Sequence, residues 1–378
     1  MQQIRRIGVF VDLIGAYGRG IFLGLRKYAE EVGNWHCRFP STWPVGNDVD
    51  ISDWNVDGWI GYSNDHKLGA LMRERPTPLV SVSTEEAMRG RPAVAPHNEA
   101  IGQMAFDYLL ERGLGHFAFV GHSSAPFSVL RQAGFVRAAT EYGRPCHLFP
   151  DYLYTPRSYG QLGRWLVGLP KPIGLLADND DIGAVVLDVC REVSLAVPQD
   201  IAVLSVDNDE LLCTVRVPTL SSIQLDTYRI GYEAAATLDR MLSGESAPSK
   251  PLLVPPLYVV TRQSTDVLAF ADSEMRRAIE FIRGRVAQPT TAADVIANAT
   301  VSARPLEQRF RKQLHCSILD YIHRVHVEHA MSLLSSTRLS VSEVARASGF
   351  TSLTRMGIVF RRLAGRTPSE YRRRVTGG

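Results

Sequence analysis

The sequence predicts a doubly wound α/β domain over residues 1–268, followed by an all-α domain over 269–378 that holds two helix-turn-helix units. Three observations predict this division. Short apolar, β-branched runs alternate with helical stretches as far as about residue 265. The periodicity then becomes helical throughout, and one helix–turn–helix pattern recurs about fifty residues after it first appears. The charge divides at nearly the same place: residues 1–271 hold 24 Lys/Arg against 30 Asp/Glu, and residues 272–378 hold 18 against 9.

In order along the chain, IGVFV (7–11) is the first strand and a helix follows from about Arg19 to Glu31. DGWIGY (57–62) is the next strand, then a short helix and the strand PLVSVS (78–83). A helix over 99–112 leads into HFAFVG (116–121). IGLLAD (173–178) precedes a helix over 181–193, and IAVLSVDN (201–208) follows a proline-bearing turn. A helix over 228–243 and the extended tail LLVPPLYVVTRQST (252–265) complete the domain. Apolar runs of this length between helices mark parallel strands covered on both faces.

Ligands of such sheets bind beyond the carboxyl ends of the strands. That rule selects Tyr17 and Arg19, the segment His122 to Arg131, Asp178 with Asn179 and Asp180, and Asp207 with Asn208 and Asp209. Asp and Asn accept paired sugar hydroxyls, and Arg donates in a fixed fork. For Asp180 the role of N-cap to the helix beginning there is preferred over ligand contact. The run 207–209 also reads as a plain turn.

The all-α domain repeats its boundary chemistry. In the second unit Ser340 and Glu343 form a capping box, Gly349 ends that helix, Thr351 or Ser352 caps the next, and Gly365 ends it. Thr367-Pro368-Ser369-Glu370 opens a further helix with proline in its first turn. In the first unit Thr291 and Asp294 open a helix, Ser302 caps the next, and Pro305 sits in its first turn. A duplicated unit in a module of net charge +9 points to duplex DNA, against the plainer reading of a solvated basic surface. Base-edge candidates are Arg304, Glu307 and Gln308 in the first recognition helix, and Ser352, Leu353, Thr354 and Arg355 in the second. Arg304 and Arg355 have the reach for guanine and Gln308 for adenine, while Arg311, Lys312, Arg361 and Arg362 suit phosphates.

Two resemblances rest on these residues. LLADNDDIGAVVLDVCREVSLAVPQDIAVLSVDNDE and LSSIQLDTYRIGYEAAATLDRMLSG resemble the effector domain of LacI/GalR-type regulators, which is built from two lobes like the periplasmic sugar-binding proteins. This likeness implies a sugar in a cleft between lobes, with contacts from Arg131, Asn179 and Asp207. His97 stands where that family often has Asp, so no role passes to it. L-E-Q-R-F (306–310), V-A-R-A-S-G-F (344–350) and F-R-R-L-A-G-R-T-P-S-E-Y-R (360–372) resemble the AraC/XylS family. Three departures stand out: Met356 where an aromatic is usual, Gly357 inside the second recognition helix, and His315 where glycine commonly ends the first. The second unit is therefore expected to be the softer reader of DNA.

The pairing of the two domains resembles the xylose-operon type of regulator. It implies a cytoplasmic transcription activator acting as a homodimer on a duplex DNA operator, with RNA polymerase as partner and a pentose such as D-xylose as effector. The alternative is a sugar receptor of the periplasmic-binding class without a DNA role.

Several function classes find no support in the residues. No apolar run reaches the ~20 residues that span a bilayer. The cysteines 37, 146, 190, 213 and 316 form no CxxC pair or Cys/His cluster, so neither a metal nor a disulfide framework is expected. The sequence holds no P-loop and no G-x-S-x-G, and G15-A-Y-G18-R-G20 lacks the order of a dinucleotide fingerprint, so no enzyme and no cofactor are expected.

Overall fold

Continuous apolar runs, buried on both faces, set the inner strands. The computed structural model describes residues 4–39, 54–61, 77–85, 89, 92–150, 156–267, 272–314 and 316–376. The short helix expected between 62 and 78, His315 and the 268/269 junction lie outside the described residues. In the first lobe β1 (Arg5–Phe10), β2 (Trp35–Arg38), β3 (Gly58–Gly61) and β4 (Leu79–Ser81) form a parallel sheet in the order β2-β1-β3-β4. A bridge from Ser81 to Ala93 joins it to a short parallel pair, β5 (Val94–Pro96) and β11 (Leu252–Val254). Helices α1 (Ala16–Val32) and α7 (Thr227–Leu242) pack on this lobe, where Ile7, Val9, Ile21, Leu25, Ile230 and Leu238 share one core.

The second lobe is a six-stranded sheet of β12 (Tyr258–Val260), β10 (Ser221–Gln224), β9 (Ile201–Val206), β8 (Ile173–Ala177), β6 (His116–Val120) and β7 (Cys146–Leu148), in that order. All its pairings are parallel except β12 on β10. The pleat separates two cores. β6 sends Phe117 and Phe119 toward α2 (Asn98–Leu110) and α3 (Pro126–Glu141), and Ala118 and Val120 toward α4 (Pro156–Gly168) and α5 (Asp180–Glu192). A short α6 (Glu210–Thr214) follows β9. The chain passes between lobes after β5, after β10 and after β11, so the first lobe takes its last helix from late in the sequence.

The helical module comprises α8 (Ser273–Gly284), α9 (Ala292–Asn298), α10 (Ala303–Leu314), α11 (Ile318–Ser336), α12 (Val341–Ala347), α13 (Leu353–Ala364) and α14 (Pro368–Thr376). The two capping boxes form as the sequence requires, Thr291 with Asp294 and Ser340 with Glu343. Ser352 caps α13, and Gly349 and Gly365 take φ of 75° and 69° at the turns. Each unit has its own core. Met275, Ile279, Leu306, Phe310 and Tyr321 belong to the first, and Val344, Met356, Phe360 and Tyr371 to the second. Met356 is fully buried, so the thioether fills the place expected of an aromatic.

The structure adds three things to the sequence reading. α1 begins at Ala16, one turn before the expected start. β2 and β7 are short, half-exposed edge strands whose residues carry no apolar run. Tyr258, in the α/β sheet, also belongs to the core of the second helical unit.

Candidate ligand cleft and nucleic-acid interface

A cavity of about 390 Å³ lies between the lobes. The first lobe lines it with Asp12, Tyr17 and residues 82–85, and the second with residues 125–127, Arg131, Asn179 and Asp207. A few polar groups converging on an aromatic wall is the usual make-up of a small-molecule site.

Arg131 is the best-fixed of them, only 3% exposed. Its Nε donates to Asn98 Oδ1 at 2.9 Å, one terminal nitrogen donates to the Asp178 carbonyl, and the other lies 3.7 Å from Asp207 Oδ1. The guanidinium carbon sits 5.1 Å from the centre of the Phe127 ring. Asn98 is held in turn, because its Nδ2 donates to Thr84 Oγ1 at 2.9 Å and to the Pro96 carbonyl at 3.3 Å. The guanidinium plane is thus set before any ligand arrives.

Asp207 occupies a strained backbone position, with φ of 105°, followed by Asn208 at 52°. Such conformations in non-glycine residues persist where the surroundings over-determine them. Here Asp207 N donates to the Ile223 carbonyl, Asn208 N to Ser222 Oγ, and Asn208 Nδ2 to Gln224 Oε1. Arg262 closes the ring of contacts by donating to Asn208 Oδ1 at 2.8 Å. Asp207 Oδ1 is buried and makes no hydrogen bond. Burial pushes this carboxyl up to about 7, with Arg131 opposing the shift and neighbouring carboxylates adding to it. A buried acceptor left open beside a fixed cation is suited to a hydroxyl donor.

Tyr17 packs against the cores of both lobes, and its hydroxyl donates to the Val82 carbonyl at 2.8 Å. Its ring is offered to the cleft while its polar end is occupied. Asn179 lines the cavity and is also the N-cap of α5, its Oδ1 accepting from Ile182 N at 2.9 Å. The cap expected of Asp180 therefore belongs to its neighbour. Asp180 is buried in the first turn, where it accepts from Ser205 Oγ, from Ser222 Oγ and from Asp209 N.

Arg19 does not line the cavity. Its guanidinium donates to Asp209 Oδ2 at 2.8 Å, and the same oxygen accepts from Ala16 N at 3.1 Å. Arg19 and Ala16 stand on α1 of the first lobe and Asp209 on the second, so this is a clasp beside the cleft. The sequence reading passed over Asp12 and Glu85. Both follow the carboxyl ends of strands, β1 and β4, so the rule that selected Tyr17 also reaches them. Asp12 Oδ1 accepts from Ile14 N at 2.7 Å, and Glu85 pairs with Arg89 at 2.6 Å.

In the helical module the recognition helices are α10 and α13. Arg304, Gln308, Arg311 and Lys312 are exposed on α10, and Ser352, Leu353, Thr354, Arg355 and Arg361 on or just before α13. Glu307 is half-buried and committed, accepting from Ile318 N at 3.4 Å and facing Arg311 Nε at 3.7 Å. Arg362 leans back on α11, with Nη2 3.1 Å from His323 Nδ1 and 3.6 Å from Asp320 Oδ1. Ser352 spends its hydroxyl on Arg355 N at 3.1 Å.

Comparison with known proteins agrees with both halves. Residues 106–265 match the periplasmic binding protein-like domain family, and residues 296–374 match a helix-turn-helix domain family. The xylose operon regulatory protein of Haemophilus influenzae is 27% identical over 98% of this chain and 99% of its own length. That of Escherichia coli K12 is 29% identical over 92% and 93%. The solved structure of the xylose-binding transcription activator XylR superposes with a TM-score of 0.63 at 28% identity, over 98% of each chain.

The chain is a DNA-binding transcription regulator that joins a periplasmic binding protein-like domain to a helix-turn-helix domain.

The alternative of a receptor without a DNA role is overturned by the helix-turn-helix match. The regulator's two domains touch through β12 and the helices beneath it. The Tyr258 hydroxyl lies 2.7 Å from Ser335 Oγ, and its ring packs with Val327, Ala330 and Met331 of α11. Glu111 pairs with Arg324, and Asp226, the N-cap of α7, faces Arg366 at 3.6 Å. Among the described residues no helix is long and apolar enough to cross a membrane, and no metal-ligating cluster forms.

Proposed function

We propose that the regulator is a transcription activator whose effector is a pentose, D-xylose first among them. The carrying observation is the cleft itself. A fixed guanidinium, the open Asp207 carboxylate, Asp12 and Glu85 converge beside Phe127 in one cavity. Vicinal hydroxyls donate to carboxylates and accept from Arg and Asn, while the C–H face of a sugar ring rests on the aromatic wall. The full-length relatives named for the xylose operon and for xylose binding support the choice of sugar.

Within this reading Arg131, Asn179, Asp207 and Tyr17 hold the sugar, joined by Asp12 and Glu85, and Arg19 holds the lobes. Residues 1–268 bind the effector and 269–378 bind the operator. A homodimer presents four helix-turn-helix units in the cytoplasm, and RNA polymerase is the onward partner. The sugar shifts the regulator toward the DNA-competent state only by binding that state more tightly. β12, paired to β10 next to Asp207 and packed on α11, is the element both sites bias. Calorimetric titration with a panel of pentoses and hexoses tests the effector, and gel shifts with and without the tightest sugar test the linkage. Equal, weak heats from every sugar would defeat the assignment.

A further inference from the structure

The two recognition helices present different surfaces. On α10 the exposed positions include Arg304, Gln308, Arg311 and Lys312. On α13 Ile358 is 62% exposed and Leu353 46%. Leu353, Thr354, Gly357, Ile358 and Arg361 fall on one face at three- and four-residue spacing. Thr354, Gly357, Ile358 and Arg361 line one shallow groove there. Gly357 has no packing reason inside the chain, since a β-carbon there would meet nothing within 4 Å. Glycine also weakens a helix interior. Burial lowers the His323 pKa, and Arg355 and Arg362 add to it, so Arg355 lies toward α11 on the same side as Arg362.

An apolar strip bounded by arginines, in a module of net +9, fits duplex DNA better than another protein. The arginines suit phosphates, and the thymine methyl is the apolar group the major groove offers. A helix with no side chain at 357 sits closer to the base edges than one with any other residue there. We propose that the second helix-turn-helix unit reads thymine methyl groups through Ile358 and Leu353, with Gly357 admitting the helix to the groove. This inference rests on the DNA-binding reading and goes beyond it, because it replaces the guanine contact expected of Arg355.

The test starts from a duplex selected by the full-length chain in the presence of D-xylose. Each thymine in the part of the site covered by the second unit is then replaced by uracil, which deletes only the methyl. The parent protein should bind one or two of these duplexes about three- to fivefold more weakly, the scale of one buried methyl group. Ile358→Ala or Leu353→Ala should bind the matching thymine and uracil duplexes equally. Gly357→Ala should melt at a higher temperature yet bind the selected duplex more weakly, a combination that a purely structural glycine would not give. Indifference of the parent to every uracil, with specific binding intact, overturns the inference alone. Failure to select any sequence overturns it together with the DNA-binding reading. Unchanged DNA selection by Ile358→Ala with reduced transcription would give this face to RNA polymerase and also overturn it.

Discussion

At the scale of single residues, the cleft is governed by one buried ion pair that is only half made. Arg131 and Asp207 stand 3.7 Å apart, with two of the guanidinium nitrogens committed elsewhere and Asp207 Oδ1 buried without a hydrogen bond. Asp207→Ala should weaken sugar binding by about 1.5–3 kcal/mol, the value of a charge-assisted hydrogen bond, as read by calorimetry. Arg131→Ala should cost as much in binding and also lower the melting temperature, because Asn98 Oδ1 and the Asp178 carbonyl lose their donor. The carboxyl of Asp207, pushed up to about 7, gives a pH signature with a definite sign. A sugar hydroxyl donates to the ionised form, so binding drives a proton off and apparent affinity scales with the ionised fraction. Affinity should therefore rise about tenfold from pH 6 to pH 8 and level off above. Asp207→Asn should abolish the dependence, and a flat profile in the parent would mean that Asp207 is already ionised without ligand.

At the scale of elements, α1 joins the lobes and the two recognition helices present different exposed surfaces. The clasp from Arg19 and Ala16 to Asp209 lies beside the cavity and ties the two lobes together. Arg19→Met should weaken sugar binding by about 0.5–1 kcal/mol, in keeping with a partly exposed ion pair, mainly through faster dissociation. A loss as large as that of Asp207→Ala would return Arg19 to the ligand. On α10, Arg304→Ala should relax base preference at one position by about 1–3 kcal/mol, whereas Arg361→Ala on α13 should weaken all sequences alike and flatten the salt dependence. Binding-site selection and salt titration separate the two outcomes. The element scale also shows what was legible. The capping boxes at Thr291 and Ser340 and the turns at Gly349 and Gly365 were readable because each depends on residues within one turn of chain. The competition for the cap of α5 between Asn179 and Asp180 was decided by Ser205 and Ser222, which are remote in sequence.

At the scale of the whole molecule, the domain junction is not a clean cut between cores. Tyr258 is paired into the effector sheet and packed into the second helical unit, and Glu111–Arg324 and Asp226–Arg366 flank it. A fragment of residues 270–378 should keep salt-dependent DNA binding through its first unit, whose described core residues all come from the helical module. Its second unit should be destabilised by about 2–4 kcal/mol relative to the intact chain, the range for removing a large core side chain. Hydrogen exchange of α12 and α13 in fragment and full chain would read this directly. In the full chain, Tyr258→Phe should leave sugar binding intact and reduce the sugar's effect on DNA affinity. Undiminished linkage would remove the hydroxyl contact to Ser335 from the route between the sites.

The sequence by itself determined the class of each half, because periodicity, caps and charge are local properties that survive reading one residue after another. It also determined the end of the sheet at which the cavity opens, since parallel strands bring their carboxyl ends together wherever they pair. Only the tertiary structure decided which polar residues face the cleft and which are used elsewhere. Arg19 turned to Asp209, Glu307 to the start of α11 and Arg362 to His323, while Asp12 and Glu85 came into the cavity. The physical reason is that a polar side chain is satisfied by whatever partner folding brings within about 3 Å, and those partners lie up to 190 residues away in the chain.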